Sequence, residues 1–537
     1  MLQNADGSTI QNLAVNRYSM GMQITSDDVR LRGNFIGTDA SGTIGIGNDT
    51  GIQVEGARTI IGGTDGWTPG GVCTGDCNLI SGHSDHNNDF SIFVIPGSAD
   101  TVIQGNMFGV NAEGTSALPN GTSVIVSGSN AVIGGASPVE GNLIAGTVQR
   151  GVRLASGTAT IQGNLIGTNS TGTATLTAPN PPFPPFGITV DNAQNVVIGG
   201  GSPGARNVIA DIRPVRVYQS SNTQIRGNFI GIATDGVTQL GLPAPGDAGV
   251  WIEGTIGTLV GGIEPGQGNT IAYRETGVMV SGNNGVTQGN QIRGNSIHSN
   301  VGPGIDTADG GNGEPQPPVV TTANQSGASG TASALYCANS MCAVDIYSDN
   351  EDEGRSYEGS TQTDLAGNWT FSGSLSGPNV TATITNDGGN TSEFSAPFTI
   401  DTSTPTPNPS PTPTPTPTST ATGTASATAS PTPTPTGGPL DDEVPWGDAN
   451  CSGESDPVDS LLTLRFDAGL STNTGDCPPM GEVVEVANAS PHPWGDVDCS
   501  GEVNPVDSLK LLRFDAGLPV AQEPDCPPIG DTVSVLF

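Results

Sequence analysis

The chain has 537 residues and a formal charge of −36 at pH 7, and Lys510 is its single lysine. So few basic residues exclude a nucleic-acid binder, which needs clustered Lys and Arg to neutralise phosphates, and they disfavour an anionic membrane surface. No apolar run approaches the ~20 residues of a spanning helix, so no membrane insertion is expected.

Residues 1–315 are an internal repeat. One phrase is Gly-Asn-x-Ile-Gly: GNFIGT at 33–38, GNMFGV at 105–110, GNLIGT at 163–168, GNFIGI at 227–232 and GNSIHS at 294–299. A second alternates with it: TIIGG, AVIGG, VVIGG and TLVGG, each followed by an Asn-x-Ile step such as CNLISG or GNLIAG. A third is a short alternating run, from GMQI at 21 to GVMV at 277, recurring about every 30 residues. Alternating Ile/Val and polar residues predict strands with one face inward. Gly and Asn at the phrase borders suit tight corners. Three short strands per period, nine or ten times over, predict a parallel β-helix, with Ile stacked on Ile inside and Asn on Asn at a corner. The start, MLQNADGSTI, has neither the basic nor the apolar region of a leader, and the first phrase looks like the end of a coil. A signal peptide and a capping element are therefore expected upstream of Met1.

Catalytic residues are sparse in this repeat. A pectate-type lyase needs a basic proton acceptor and acids that hold Ca²⁺. The repeat has no lysine and twelve arginines, of which Arg30/Arg32 and Arg150/Arg153 form close pairs at expected strand borders. A hydrolase of the polygalacturonase kind needs clustered carboxylates. The nearest candidates are Asp27-Asp28 and the loop HSDHNND, with His83, Asp85, His86 and Asp89. The expectation leans toward a β-helix that is not an enzyme. The long loops at 169–187 and 233–247 fall at the same corner of successive repeats and are expected to wall a groove for extended polysaccharide. These phrases resemble the bacterial right-handed parallel β-helix repeat (PbH1) proteins built on NxIGTDxxGT, IGG and NxISG. The resemblance implies a mostly β, right-handed parallel β-helix, an architecture also used by pectate lyases and polygalacturonases. It does not imply an activity.

Residues 316–401 alternate strand-like runs with Gly/Asn/Asp turns and predict a small antiparallel β-sandwich, immunoglobulin-like in class, that caps the solenoid. Tyr347 and Trp369 are its only candidates for stacking on a sugar. Residues 402–440 are a Pro/Thr-rich linker that stays extended.

Residues 441–537 state one phrase twice: WGDANCSGESDPVDSLLTLRFDAGL from 446 and WGDVDCSGEVNPVDSLKLLRFDAGL from 494. Asp448, Asn450, Ser452 and Asp459 fall at loop positions 1, 3, 5 and 12, with Gly453 at position 6; Asp496, Asp498, Ser500, Asp507 and Gly501 repeat the set. Oxygens at alternate positions, a glycine for the turn and a closing carboxylate form the pattern that wraps a hard cation. Pro457 and Pro505 suit the first turn of a helix capped by Asp456 or Asn504.

The duplication resembles a type I dockerin, the calcium-dependent module that inserts into a cohesin. This implies Ca²⁺ at two sites, with Glu454 and Glu502 offering backbone carbonyls and Asp456 and Asn504 acting at position 9. It implies a cohesin-like protein partner, met through positions 10 and 11. Those positions hold Pro457, Val458, Pro505 and Val506 where small hydroxyl residues are usual, so the partner is expected to differ from the usual cohesin. Beside this resemblance stand the expected disulfides Cys451–Cys477 and Cys499–Cys526, rather than zinc, since no histidine stands at ligand spacing. The other cysteines form local pairs, Cys73/Cys77 and Cys337/Cys342. Eight cysteines in four close pairs point to an oxidising, extracellular or cell-surface setting. The functional expectation is a secreted modular protein whose β-helix binds or displays at extracellular polysaccharide and whose end docks it. The alternatives are a docked polysaccharide lyase or glycoside hydrolase, and a structural surface-layer component.

Overall fold

A computed structural model describes residues 5–83, 90–182, 184–211, 213–282, 286–333, 336–337 and 341–401, and then 442–536 apart from 452–454, 456, 468–476, 479, 487–491, 501–502, 516–519 and 521–525. The chain divides into two compact units, residues 1–408 and 409–537.

The first unit is built on three parallel sheets of ten strands each, every strand pairing with its counterpart one coil away. This is a parallel β-helix of ten coils, consistent with the right-handed coil expected. Coil one runs Thr9–Gln11, Ala14–Val15, Met20–Ile24, and coil ten runs Gln291–Arg293, Ser296–His298, Ile305–Ala308. The Ile-Gly-Gly phrases form first-sheet strands of odd-numbered coils and the Gly-Asn-x-Ile phrases form second-sheet strands of even-numbered ones; on the first sheet Ile61 pairs with Ile103, and Ile103 with Ile133. The tenth coil's third strand, IDTA, lacks the alternating Gly-Val pattern of the others.

Four columns of inward aliphatic side chains fill the solenoid. One runs Leu31, Ile61, Ile103, Ile133, Ile161, Ile198 and Ile225, all with no solvent exposure. The expected asparagine stack is present beside it. Asn34, Asn78, Asn106, Asn142, Asn164, Asn207, Asn228, Asn269 and Asn295 stand at the corner between the first and second sheets. Each of the first eight donates its side-chain amide to the Oδ1 of the next, at 2.9–3.1 Å. Each backbone N–H of those eight also donates to that same Oδ1, at 3.0–3.3 Å. The amides moreover bind backbone carbonyls of the coil behind, as Asn164 does Ile133 O at 2.9 Å. At a corner that turns the chain out of its ladder, one side-chain amide thus serves a backbone N–H and a backbone carbonyl of the coil behind, as Asn164 does for Asn142 and Ile133.

Coils two, four, six and eight extend beyond the second sheet into a loop closed by Asp39, Asn111, Asn169 and Asp235 respectively. Asn111 Oδ1, for example, accepts the backbone N–H groups of Thr115 and Ser116 at 2.9 and 3.0 Å. These loops stack on each other: Ala112 N–H donates to Gly42 O at 3.0 Å, Ser170 N–H to Gly114 O and Thr234 N–H to Gly172 O, both at 3.2 Å. The stack covers an outer apolar layer that includes Leu79, Met107, Leu143, Leu165 and Val208. Odd-numbered coils place a buried polar group at this corner instead. In coil nine it is Arg274, with no solvent exposure, paired with Asp247 at 3.4 Å and donating to the carbonyls of Asp211 and Leu240. Burial pushes the Asp211 carboxyl up to about 7 and that of Asp247 to about 6, against the pull of Arg274. A Cβ on Gly231, at φ +81°, would stand 2.8 Å from Arg274 Nε, so only glycine fits beside it.

Residues 316–401 form two antiparallel sheets over one core. One holds Val319–Asn324, Gly327–Thr331 and Asn368–Ser372; the other holds Ser356–Gln362, Ala343–Asp349, Asn379–Thr385 and Phe398–Thr399. This sandwich closes the last coil. Arg293 forms a two-pronged pair with Asp345 at 2.6 and 2.7 Å, Tyr347 Oη accepts Gly294 N–H at 3.0 Å, and Thr391 Oγ1 accepts Ile292 N–H at 3.0 Å. Free strand-edge donors of the first sheet are met there. Tyr347 and Trp369, expected at the surface, are both 2% exposed, so neither stacks on a sugar: Tyr347 packs at the junction with the last coil and Trp369 in the sandwich core.

Two predictions follow from this packing. Asn164→Ala strands donors and acceptors on both neighbouring coils, and a urea titration of the full chain should show the β-helix destabilised by about 3 kcal/mol. Glu353 accepts both the N–H and the side-chain amide of Asn300 at the sandwich–coil junction, at 3.0 and 2.9 Å, and burial pushes its carboxyl up to about 7. A folded value above the unfolded 4.5 means that the folded state holds the proton more tightly, so this group's contribution falls as pH rises from about 4.5 to 7. Glu353→Gln should flatten that part of the melting-temperature profile.

Candidate functional site

The second unit folds as two matching halves. Helix α1 spans Pro457–Asp467 and α2 spans Pro505–Asp515. They meet at Ser460 and Ser508, whose hydroxyls lie 2.7 Å apart. The two halves lock reciprocally: Trp446 Nε1 donates to Val497 O at 3.2 Å, and Trp494 Nε1 to Ala449 O at 3.1 Å. Disulfides Cys451–Cys477 and Cys499–Cys526 tie each loop to the segment after its own helix; Cys73–Cys77 and Cys337–Cys342 close the two local pairs.

The second loop brings Asp496, Asp498 and Asp507 together. All three are buried, and one carboxylate oxygen of each lies within 4.8 Å of the others. The loop is shaped by its own backbone: Asp507 Oδ1 accepts Asp498 N–H at 3.0 Å and its Oδ2 accepts Asn504 N–H at 2.9 Å, while Asp496 Oδ1 accepts Ser500 N–H at 3.0 Å. Asn504 Oδ1 accepts Val506 N–H at 2.8 Å and caps α2. Burial, then the neighbouring Asp498 and Asp496, push the Asp507 carboxyl up to about 6 despite those backbone bonds. Burial raises Asp498 too, but Ser500 and Lys510 together hold it below its ordinary value; Lys510 Nζ lies 3.3 Å away. Three crowded carboxylates on an oxygen-rich loop are a donor set for a hard divalent cation.

In the first loop Asp448 and Asp459 are fully buried, and Asn450 N–H donates to Asp459 Oδ1 at 3.2 Å, as Asp498 does in the second. Ser452, Glu454, Asp456 and Glu502 lie outside the described residues. Pro457, Val458, Pro505 and Val506 stand exposed at the helix starts. Sequence reasoning missed what continues from them. Val458, Leu461, Leu464 and Phe466 on α1, and Val506, Leu509, Leu512 and Phe514 on α2, all stay 36–56% exposed. The signal was present in SLLTLRF and SLKLLRF, which hold more apolar residues than one buried helix face needs.

On the β-helix, His83 is not in an exposed loop. It has no solvent exposure, its Nδ1 accepts Asn48 N–H at 3.1 Å, and its Nε2 lies 3.2 Å from Ile36 O. It takes the odd-coil corner position that Arg274 takes six coils later. Asp85, His86 and Asp89 lie outside the described residues.

The outer face of the third sheet carries arginines and aromatic rings. Arg150 and Arg153 lie within its eight-residue strand Thr147–Leu154, not at a border. Register places Phe186 between Arg150 and Arg213, Thr189 between Arg153 and Arg216, and Trp251 beside Arg216. Guanidinium groups lie over rings along this face: Arg213 at 5.3 Å from Phe186, and Arg216 at 4.4 Å from Tyr218 and 5.2 Å from Trp251. Sequence reasoning saw the Arg150/Arg153 pair but not its partners, because only the coil register joins residues some 60 positions apart.

Among the described residues no helix is long and apolar enough to cross a membrane. No family model and no curated protein matches the chain. Among solved structures, a mutant tailspike protein of E. coli bacteriophage HK620 in complex with a pentasaccharide is similar, with TM-score 0.32 and 10% identity over 70% of this chain and 66% of that one. The tailspike protein gp49 of Acinetobacter baumannii bacteriophage Fri1, a capsular polysaccharide depolymerase, gives TM-score 0.20 and 10% identity over 73% of this chain and 80% of that one. The chain thus spans slightly under two thirds of the first of these proteins, and at such TM-scores any functional reading rests on this chain's own residues.

Proposed function

We propose that this is an extracellular glycan-binding β-helix held in place by a calcium-dependent docking unit of the dockerin kind. The observation that carries the docking half is the duplicated carboxylate loop leading into a helix that keeps an apolar face exposed. Asp496, Asp498 and Asp507, with Asp448 and Asp459 in the other loop, would hold one Ca²⁺ per loop, and Asn450, Ser452, Ser500, Asn504 and the carbonyls of Glu454 and Glu502 would complete the spheres. The bound ions would neutralise carboxylates that otherwise repel each other and would fix the loops against their helices. Pro457, Val458, Pro505 and Val506 would begin two equivalent apolar faces for a cohesin-like partner. Four disulfides support the extracellular setting. The sandwich, which we assign to the Ig-like class, seals the last coil. The open aromatic face of the third sheet supports glycan binding by the solenoid.

Calorimetry of the full chain with Ca²⁺ should show two sites, and Asp459→Ala with Asp507→Ala should remove both; retention of both would overturn the metal reading. With Ca²⁺ present, Val458→Asp with Val506→Asp should weaken capture by immobilised cohesin modules about tenfold or more while Ca²⁺ binding persists. A polysaccharide-degradation screen that found turnover would replace the binding reading with that of a tethered lyase or hydrolase.

A further inference from the structure

Four of the twelve arginines in residues 1–315 share one patch of a chain whose charge is −36. Arg150 and Arg153 come from coil five, Arg213 and Arg216 from coil seven. At ~4.8 Å per coil the arginine rungs recur about every 10 Å along the solenoid. Two of the four are neutralised within the patch: Arg153 by Asp191 at 3.0 Å and Arg216 by Glu253 at 2.8 Å. Arg150 and Arg213 form no ion pair among the described residues. The Nε of Arg150, the Nε of Arg216 and the indole Nε1 of Trp251 are shielded from water yet have no acceptor among the described residues. Burial, and then the charges of Arg153 and Arg216, lower the Arg150 pKa from its ordinary value, as expected where like charges are gathered without enough counter-charge.

We propose that this face binds an acidic polysaccharide of the uronate class, laid along the solenoid axis. Its carboxylates pair with Arg150 and Arg213, and its ring faces rest on Phe186 and Trp251. The inference rests on the glycan-binding half of the proposed function and names the ligand class and the site. A guanidinium fork matches a carboxylate in two bonds, and the same patch already seats two carboxylates through one contact each, Asp191 on Arg153 and Glu253 on Arg216. Those two acids also set a limit on charge density. They suit a chain with one carboxylate per sugar or per pair of sugars, not a densely sulfated one. The aromatic rings supply apolar area that a sugar face can cover and a bare anion cannot. Among the described residues the other sheets offer no comparable row: the second places a single arginine over a ring, Arg206 at 3.9 Å from Phe229, and the strands of the first are only three or four residues long.

The test is calorimetry of the full chain with size-matched oligomers of polygalacturonate, neutral galactan and dextran sulfate at low and high salt. Polygalacturonate should bind, at least about tenfold more tightly than galactan, and should weaken as salt rises. Arg150→Gln with Arg213→Gln should lower its affinity about tenfold or more, Trp251→Ala should also weaken it, and Arg30→Gln with Arg32→Gln on the first sheet should leave it unchanged. If the double variant misfolds by circular dichroism, Arg150→Gln alone carries the same expectation at a smaller fold-change. Equal binding of galactan, or preference for dextran sulfate, would overturn the uronate class while sparing the glycan reading. Binding of none would overturn both. Self-association in sedimentation that Arg150→Gln with Arg213→Gln abolishes would identify a second acidic copy as the occupant and overturn the proposal.

Discussion

The column of asparagines at one corner is the constraint on which the first unit depends. A solenoid must turn its chain three times per coil, and every turn takes backbone groups out of the strand ladder. Here one amide per coil meets that need at one corner: its NH2 donates to a carbonyl of the coil behind and to the Oδ1 of the next asparagine, as Asn164 does to Ile133 O and Asn207 Oδ1. The aliphatic columns contribute most of the driving force and, with one face buried, set the register. The amide ladder reinforces it where both residues of a strand are apolar, as in Leu143–Ile144. The stacked loops and the outward arginine rungs inherit that register.

Much of this was legible in the chain. Asn before x-Ile, and Ile before Gly-Gly or x-Gly-Asn, recur often enough to give the coil, its core and its corner. Less legible was the odd–even alternation. His83, Asp211 and Arg274 look like ordinary polar loop residues, and only the fold shows them enclosed beneath the loops of the even coils. Ile305–Ala308 escaped notice because a last strand has a neighbour on one side only and its pattern is diluted. The arginine face could not be read at all from spacing, since its members gain proximity from the stacking of coils.

In the second unit the duplication was the strongest message, and its geometry in space is a near-copy of its geometry in sequence. Trp446 and Trp494 each reach into the opposite half, so neither half is a module alone. The carboxylates of the second loop crowd together, with the proton affinity of Asp507 raised by burial and that of Asp498 lowered beside Ser500 and Lys510. That the helices remain apolar on their outer side is a tertiary fact: Leu461 and Leu509 read as core until the α1–α2 crossing is seen to be made by Ser460 and Ser508.

The alternation of coils has a consequence for how such a chain can change in length. Gly37 leaves room for the His83 ring, and Gly231 for the Arg274 side chain, so a looped coil and a plugged coil fit each other as unlike faces. A single coil gained or lost would set loop against loop, or bury two polar plugs side by side. A pair gained or lost would leave every corner facing its complement. The unit in which this solenoid can grow is therefore two coils, which is also the interval at which its arginines recur.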